Sequence, residues 1–240
     1  MRIIALLAIS LWLFQIPSQE VWADLVFPTP NRPVAGIISA EYSDEKTRDL
    51  HQEAERVMDR LGIKPGVRVA DIGAGRGYYT VRLAARLGTD AIIYATDVNA
   101  DYMKELQARL KREGIGSVKL VLSIPNDPKL PPAAIDVAIL SHVYHEIDNP
   151  YEFMYRLHRS LAPGARVGIV DVDRPTELHG TPPGLLRCEL GALGYREIAF
   201  QSLKPADGYL MVFASPEKLP PVHLIRACNK YKEESESGTK

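Results

Sequence analysis

The sequence predicts an α/β protein built on a doubly wound, mostly parallel sheet. Stretches rich in Val, Ile and Leu alternate with amphipathic stretches along most of the 240 residues, a pattern typical of strands connected by helices. The strand stretches are almost continuously apolar, which indicates a sheet covered on both faces. Only residues 204–208 separate the last two strand stretches. Such a short connection joins antiparallel neighbours, because a parallel crossover needs about a dozen residues.

The first half of the chain begins with an arm and a long helix. Residues 24–42 are rich in proline, and we expect them to form an extended arm. Ser43 or Asp44 can cap a helix that continues to Leu61 and ends at Gly62. Strands are then predicted over residues 67–73, 91–97 and 118–123, with helices over 78–88 and 100–114 that each end at a glycine.

The second half continues the alternation. Strands are predicted over residues 136–142, 166–173, 195–203 and 208–215, with helices over 150–164 and 182–194. Pro150 suits the first turn of its helix, and Pro163-Gly164 suits the end. These boundaries define one domain over residues 43–215. Residues 216–240 are expected to be a partly disordered tail, since the end of the chain is polar and aperiodic.

The turn after the first strand is rich in glycine, with Gly73, Gly75 and Gly77. In open α/β sheets a ligand binds beyond the carboxyl ends of the strands, and glycine allows the ligand to approach the backbone. A dinucleotide site would place its third glycine at position 78, where this chain has Tyr78. A P-loop is excluded, because neither Lys-Ser nor Lys-Thr follows the glycines.

Two acidic residues flank this turn. Asp71 would face a pyrophosphate unfavourably, but its carboxylate can accept a hydrogen bond from a cationic amine. Asp97 ends the second strand about 20 residues further on, where an acid can bind a ribose diol. An amine-binding acid and a diol-binding acid suit a nucleoside that carries an amino acid. These features favour S-adenosylmethionine over NAD as the ligand.

In their order along the chain, the motifs resemble those of class I S-adenosylmethionine-dependent methyltransferases. "VADIGAGRGYYT" resembles the first motif of the family, "IYATDV" the second, and residues 136–174 the stretch from the fourth strand through the fifth. The resemblance covers roughly residues 63–215. It implies a seven-stranded sheet with a final antiparallel strand and S-adenosylmethionine as cofactor. The resemblance also implies which residues contact the cofactor. It places Asp97 against the ribose, and it places four residues around the methionine part of the cofactor: Asp71, Gly73, Gly75 and Gly77.

The stretch after the third strand departs from the family pattern. Many members place an acid there beside the adenine amine, whereas this chain has Ile124 at that position. Asn126 or Asp127 can take its place, and the resemblance leads us to assign Asn126 to the cofactor site.

The segment after the fourth strand, "SHVYHEIDNP", is expected near the transferred methyl group. Methyl transfer requires in-line positioning, and a hydroxyl or amine acceptor also needs a base, most often histidine. His145 is the first candidate for that base, and Tyr144 for a substrate contact. Packing beneath the next helix is the alternative for both, and His142 is expected to be structural. We assign no metal site, because His142, His145 and Glu146 lack a cysteine partner or a recognised spacing.

Residues 1–23 have the layout of a signal peptide. Arg2 precedes an apolar run from Ile3 to Phe14, and cleavage is expected after Ala23. The run is shorter than the roughly 20 residues of a membrane span. We therefore expect a periplasmic or secreted protein without a stable membrane span after cleavage. If the segment is not cleaved, the protein is cytoplasmic or membrane-associated.

The net charge and the few cysteines limit the kinds of partner and the compartment that we expect for this protein. The net charge is −1, and no aromatic platform accompanies the basic stretches, which argues against nucleic acid as a partner. Cys188 and Cys228 can form one disulfide in an oxidising compartment or remain two thiols.

The sequence thus predicts a methyltransferase for an unidentified small-molecule acceptor, with no indication of oligomeric state. Because S-adenosylmethionine is a cytosolic metabolite, an exported binding protein without transfer activity is the alternative.

Overall fold

The protein folds around one seven-stranded sheet. The computed structural model describes residues 25–37 and 45–229. The strands are β1 (Val69–Ile72), β2 (Ile93–Asp97), β3 (Val118–Leu122), β4 (Ile135–Ser141), β5 (Leu161–Asp171), β6 (Arg196–Ser202) and β7 (Tyr209–Ala214). Their order is β3-β2-β1-β4-β5-β7-β6. β7 runs antiparallel to both of its neighbours, and the other pairs are parallel. The predicted fold class is confirmed.

Within the described residues, six helices pack around the sheet. They are α1 (Glu45–Leu50), α2 (Glu53–Arg60), α3 (Tyr78–Leu87), α4 (Ala100–Arg112), α5 (Pro150–Ser160) and α6 (Pro183–Gly191). The single helix predicted from residue 43 to 61 is wrong, because Gln52 adopts a φ of 54° and separates α1 from α2. The predicted caps Ser43 and Asp44 lie outside the described residues. Helix α5 ends before Pro163-Gly164, since Leu161 already pairs with Ile135 of β4.

Apolar layers lie on both faces of the sheet. In β4, Val137 and Ile139 pack with α2 and α3, whereas Ala138 and Leu140 pack with α5 and α6. Successive strand residues point to opposite faces, so a strand that is buried on both sides is mostly apolar along its length. Among the helices within residues 25–37 and 45–229, none combines the length and apolar character that crossing a membrane requires.

The described part of the arm packs on the domain. Phe27 is buried, and its ring meets Tyr155 edge to face with centroids 5.3 Å apart. The Ala35 N–H donates to the carbonyl oxygen of His145 at 3.1 Å. The arm is therefore held against the segment that follows β4.

The tail begins as an ordered segment. Cys228 forms a disulfide with Cys188 of α6, with their Cα atoms 6.1 Å apart. The backbone N–H of Cys228 also donates to the Tyr151 hydroxyl at 2.8 Å. Residues 216–229 thus cover α5 and α6. The signal peptide and residues 230–240 lie outside the described residues, so the proposed domain boundaries remain predictions.

Candidate functional site

A cavity of about 290 Å³ lies at the carboxyl ends of β1, β2 and β4. This is the edge where ligands bind in open α/β sheets. The wall residues from the ends of β1 and β2 and from the turns that follow them include Asp71, Ile72, Gly73, Gly75, Asp97 and Val98. On the opposite side the wall includes His142, Val143 and Glu146 from the segment after β4.

The glycine turn requires its glycines for steric reasons. Three glycines of this turn have positive φ values: 69° at Gly73, 52° at Gly75 and 89° at Gly77. Residues with a Cβ rarely adopt such values. A Cβ at Gly73 would lie 2.6 Å from Val143 Cγ2. A Cβ at Gly77 would collide with Leu106 Cδ1 of α4. A side chain at Gly73 would therefore disturb the cavity wall. A side chain at Gly77 would disturb the packing of α3 on α4.

Asp97 is bound to the backbone through both carboxylate oxygens. Oδ2 accepts the Gly75 N–H at 2.9 Å, and Oδ1 accepts the Asn99 N–H at 2.8 Å. Burial raises the pKa of Asp97, and these backbone hydrogen bonds oppose that rise. Each oxygen retains a second lone pair. A pair of neighbouring hydroxyl groups in the cavity can therefore donate to this carboxylate.

Asp71 is a fully buried acid at the end of β1. Its side chain accepts a hydrogen bond from Thr80 Oγ1 at 2.5 Å. Burial raises the pKa of Asp71 to about 6, and the hydrogen bond from Thr80 and the charge of Arg48 act in the opposite direction. A cationic group in the cavity would favour the ionised carboxylate.

Arg48 of α1 supplies a positive charge on the cavity wall. Its guanidinium carbon lies 3.6 Å from the centroid of the Tyr78 ring, and Nη2 lies 2.6 Å from Oε1 of Glu53. Nη2 also donates to Ser141 Oγ at 3.1 Å. The sequence did not single out this residue, because its helix showed only an amphipathic pattern and its contacts with Tyr78 and Ser141 come from distant segments.

His142 turns the chain at the end of β4. Its φ is 54°, and its N–H donates to the Val170 carbonyl oxygen at 2.8 Å. Burial and, to a smaller extent, the charge of Arg48 lower the pKa of His142 to about 4. The imidazole on the cavity wall is therefore neutral at pH 7.

The comparisons with known proteins agree with this geometry. Residues 70–167 match a family model described as a methyltransferase domain. Over this stretch the chain is similar to methyltransferase domains. A solved S-adenosylmethionine-dependent methyltransferase from Aquifex aeolicus shares the fold of this domain, with a TM-score of 0.66 and 21% identity over 73% of this chain and 100% of that chain.

Two curated relatives match the methyltransferase domain. Nocamycin O-methyltransferase of Saccharothrix syringae is 28% identical over 134 residues, or 56% of this chain and 48% of that protein. Demethylmenaquinone methyltransferase of Geobacillus kaustophilus is 23% identical over 122 residues, or 51% of this chain and 52% of that protein. This chain therefore spans about half the length of these relatives.

The cavity fits the cofactor of this domain family, S-adenosylmethionine. Where a Cβ would collide with Val143, Gly73 leaves the backbone accessible. Asp97 offers acceptors for a ribose diol, and Asp71 offers an anionic partner for an ammonium group. Asp71, Gly73, Gly75 and Asp97 all lie on the wall, as the sequence predicts.

Two other predicted cofactor residues lie elsewhere. Gly77 precedes α3, where its role is to permit close packing with Leu106. The Asn126 side-chain amide donates to Glu152 Oε1 at 2.9 Å. Ser123 and Pro125 form the wall after β3 in its place. The structure therefore gives no support for an adenine contact by Asn126.

The two predicted catalytic side chains point away from the cavity. Tyr144 is fully buried, and its hydroxyl donates to Glu189 Oε2 at 2.9 Å. His145 is fully buried as well, with Nδ1 3.0 Å from Oδ1 of Asp171. His142 lies on the wall instead, although we expected it to be structural. The left-handed backbone of His142 changes the direction of the chain before the short helix Tyr144–Glu146, and with it the direction of the side chains. A sequence motif does not reveal this change.

Proposed function

We propose that the protein is a methyltransferase that transfers the methyl group of S-adenosylmethionine to a small-molecule acceptor. The observation that carries the proposal is the contact between Asp97 Oδ2 and the Gly75 N–H at 2.9 Å. It holds a diol-binding carboxylate beside a backbone that a ligand can approach, within the cavity of a methyltransferase domain.

The residues on the wall suit the proposed binding mode. When bound, S-adenosylmethionine supplies a methyl group on a positively charged sulfur. Asp97 would accept hydrogen bonds from the ribose hydroxyls, and Asp71 would accept one from the ammonium group. His142 and Glu146 lie across the cavity, where the acceptor would enter. A neutral His142 can accept a hydrogen bond from an acceptor hydroxyl or amine and orient it for in-line attack.

Three observations support a small acceptor. The cavity measures about 290 Å³, near the lower end of small-ligand pockets, and would have to hold the cofactor as well as the acceptor. The net charge of −1 gives no general attraction to nucleic acid. One of the curated relatives is named for O-methylation of nocamycin.

The disulfide between Cys188 and Cys228 supports export. Disulfides persist mainly in oxidising compartments such as the periplasm. We therefore propose that residues 1–23 are removed and that the protein acts outside the cytoplasm. Export also favours the second candidate, a binding protein for S-adenosylmethionine that lacks transfer activity, because the cofactor is made in the cytosol. Intact-mass analysis of the exported protein checks this point, since cleavage after Ala23 leaves a chain that begins at Asp24.

Binding and turnover are tested separately. Calorimetry with S-adenosylmethionine and with NAD should show binding of the first and none of the second. A folded protein that binds no S-adenosylmethionine contradicts both candidates. A screen of phenols, amines and carboxylates for formation of S-adenosylhomocysteine then decides between them. Turnover with any acceptor supports the methyltransferase, whereas tight binding without turnover across the screen favours the binding protein.

A further inference from the structure

Three side chains with metal-ligating atoms converge beside the cavity. His145, Glu146 and His179 each place one ligand atom within 4.8 Å of the other two. His145 and Glu146 belong to the short helix after β4, and His179 follows the short helix Thr176–Leu178 after β5. We propose that these three residues bind one divalent transition-metal ion of the zinc class. The proposal does not depend on the proposed methyl transfer.

Asp171 orients the first of these ligands. Its carboxylate oxygens lie 3.0 and 3.1 Å from His145 Nδ1. When the Nδ1–H donates a hydrogen bond to the carboxylate, the available lone pair of the imidazole is on Nε2. Nε2 is then the atom that can bind a metal ion. Histidines that bind metals usually donate their other ring N–H to a carboxylate in this way.

The carboxylate of Asp171 is itself held in place. Thr181 Oγ1 donates to Oδ2 at 2.6 Å, and the Val172 N–H donates to Oδ1 at 2.8 Å. Both Asp171 and His145 are fully buried. His142 Nδ1 approaches the same carboxylate at 4.0 Å. The hydrogen bonds fix the direction of the His145 ring before any ion binds.

The loop that carries His179 is confined by close contacts. His179 has a left-handed φ of 58°, a conformation that is uncommon outside glycine and is often retained at functional sites. A Cβ at the neighbouring Gly180 would lie 2.5 Å from the Val172 carbonyl oxygen. The rings of His145 and His179 lie nearly perpendicular, with centroids 5.5 Å apart. The backbone therefore holds His179 close to His145.

The donor set selects the class of ion. Two imidazoles and one carboxylate are typical of zinc sites with three protein ligands and an open position. Ligands at zinc bond lengths lie on the order of 3.4 Å apart in a tetrahedron, so the side chains must close slightly around the ion. Glu146 and His179 are only partly buried and can make this adjustment. Glu146 also lines the cavity, so the ion would lie beside the cavity wall.

The test uses Zn²⁺ and the spectroscopic probe Co²⁺ with the purified protein after treatment with a chelator. We expect one Co²⁺ per chain, with a visible absorption band of a four- or five-coordinate ion, and displacement of Co²⁺ by Zn²⁺. His179→Ala and Glu146→Gln should each weaken Co²⁺ binding at least about tenfold. Asp171→Asn should weaken it by roughly 10–100-fold without removing a ligand.

His223→Ala is the matched control, because His223 is an exposed histidine in the short helix Val222–Leu224. It should bind Co²⁺ like the wild type. Circular dichroism verifies that each variant is folded, and His179→Ala remains informative if a substitution at the buried His145 prevents folding. A folded wild-type chain that binds no Co²⁺ or Zn²⁺ overturns the proposal. Equal binding by the wild type, His179→Ala and Glu146→Gln overturns it as well.

Discussion

Gly75 and Asp97 are joined by a hydrogen bond of 2.9 Å between the backbone N–H of the glycine turn and the carboxylate that ends β2. The two residues come from motifs 22 positions apart in the chain. Their contact makes the turn and the acid one rigid wall of the cavity. Several consequences of this wall and of the segments around it can be measured.

Replacing Asp97 with Asn should weaken binding of S-adenosylmethionine at least about tenfold. The Asn side chain has one acceptor oxygen, so it cannot serve the Gly75 N–H, the Asn99 N–H and a ribose diol together. Hydrogen bonds to a charged group contribute about 1.5–3 kcal/mol. Calorimetry measures the affinity, and Asp101→Asn on the exposed surface of α4 is the control. Unchanged affinity in Asp97→Asn would refute the assignment to the ribose.

Gly73→Ala should destabilise the protein more than Gly66→Ala does. Both glycines have a positive φ, but a Cβ at Gly66 has no atom within 4 Å, whereas one at Gly73 meets Val143. The positive φ costs about 1–2 kcal/mol at each site, and crowding at Gly73 adds about 1–3 kcal/mol. Urea denaturation gives both values. Adding Val143→Ala should recover part of the loss in Gly73→Ala, and equal losses at the two glycines would contradict the steric argument.

The stability of Asp71→Asn relative to the wild type should depend on pH. Burial raises the pKa of Asp71 from 3.8 to about 6, so the native carboxyl group holds its proton more tightly than the unfolded one. Its contribution to stability is fully present below about pH 4 and is lost as the pH rises through 6. A shift of about two pKa units corresponds to roughly 3 kcal/mol.

An Asn side chain at position 71 does not titrate in this pH range. Between pH 4 and pH 7, the free energy of unfolding of Asp71→Asn should therefore rise by up to about 3 kcal/mol relative to the wild type. Urea denaturation at both pH values measures the difference, and the opposing titration of His142 is common to both proteins. A difference that stays constant with pH would show that Asp71 is not perturbed as described. Binding of S-adenosylmethionine should weaken in the same variant.

Removing the disulfide should lower the free energy of unfolding by roughly 2–4 kcal/mol. The bond joins residues 40 positions apart and limits the freedom of the unfolded chain. Cys188→Ser/Cys228→Ser measured by urea denaturation gives the loss. Reductant should destabilise the wild type by a similar amount and leave the double variant unchanged. An equal response of both proteins to reductant would assign the effect to something other than this bond.

Arg32→Met should destabilise the protein by about 3–5 kcal/mol, because it leaves a buried carboxylate without its partner. Arg32 Nε lies 3.0 Å from Glu189 Oε1, and both side chains are almost fully buried. The Arg32 guanidinium also donates to the carbonyl oxygens of Tyr144 and Ile147. The double variant Arg32→Met/Glu189→Met should recover part of the loss. No recovery in the double variant would show that the carbonyl contacts, and not the ion pair, account for the effect.

Local patterns were sufficient for most of the fold. The strands around Val69, Ile93 and Val137 are mostly apolar because both faces of the sheet are covered. The predicted helix through residue 52 was wrong at one point, where Gln52 adopts a left-handed φ. A single left-handed residue depends on what the flanking helices pack against, and no periodicity records it.

The sequence by itself determined the half of the cavity to which we assign the cofactor. Asp71, Gly73, Gly75 and Asp97 lie at strand ends and in the following turn, and parallel strands bring those ends to one edge. Only the tertiary structure decided the other half. The direction of His142, Tyr144 and His145, the approach of Arg48 and the convergence of Glu146 with His179 depend on contacts between segments distant in the chain. Side-chain direction in loops is set by such contacts, which a local motif does not encode.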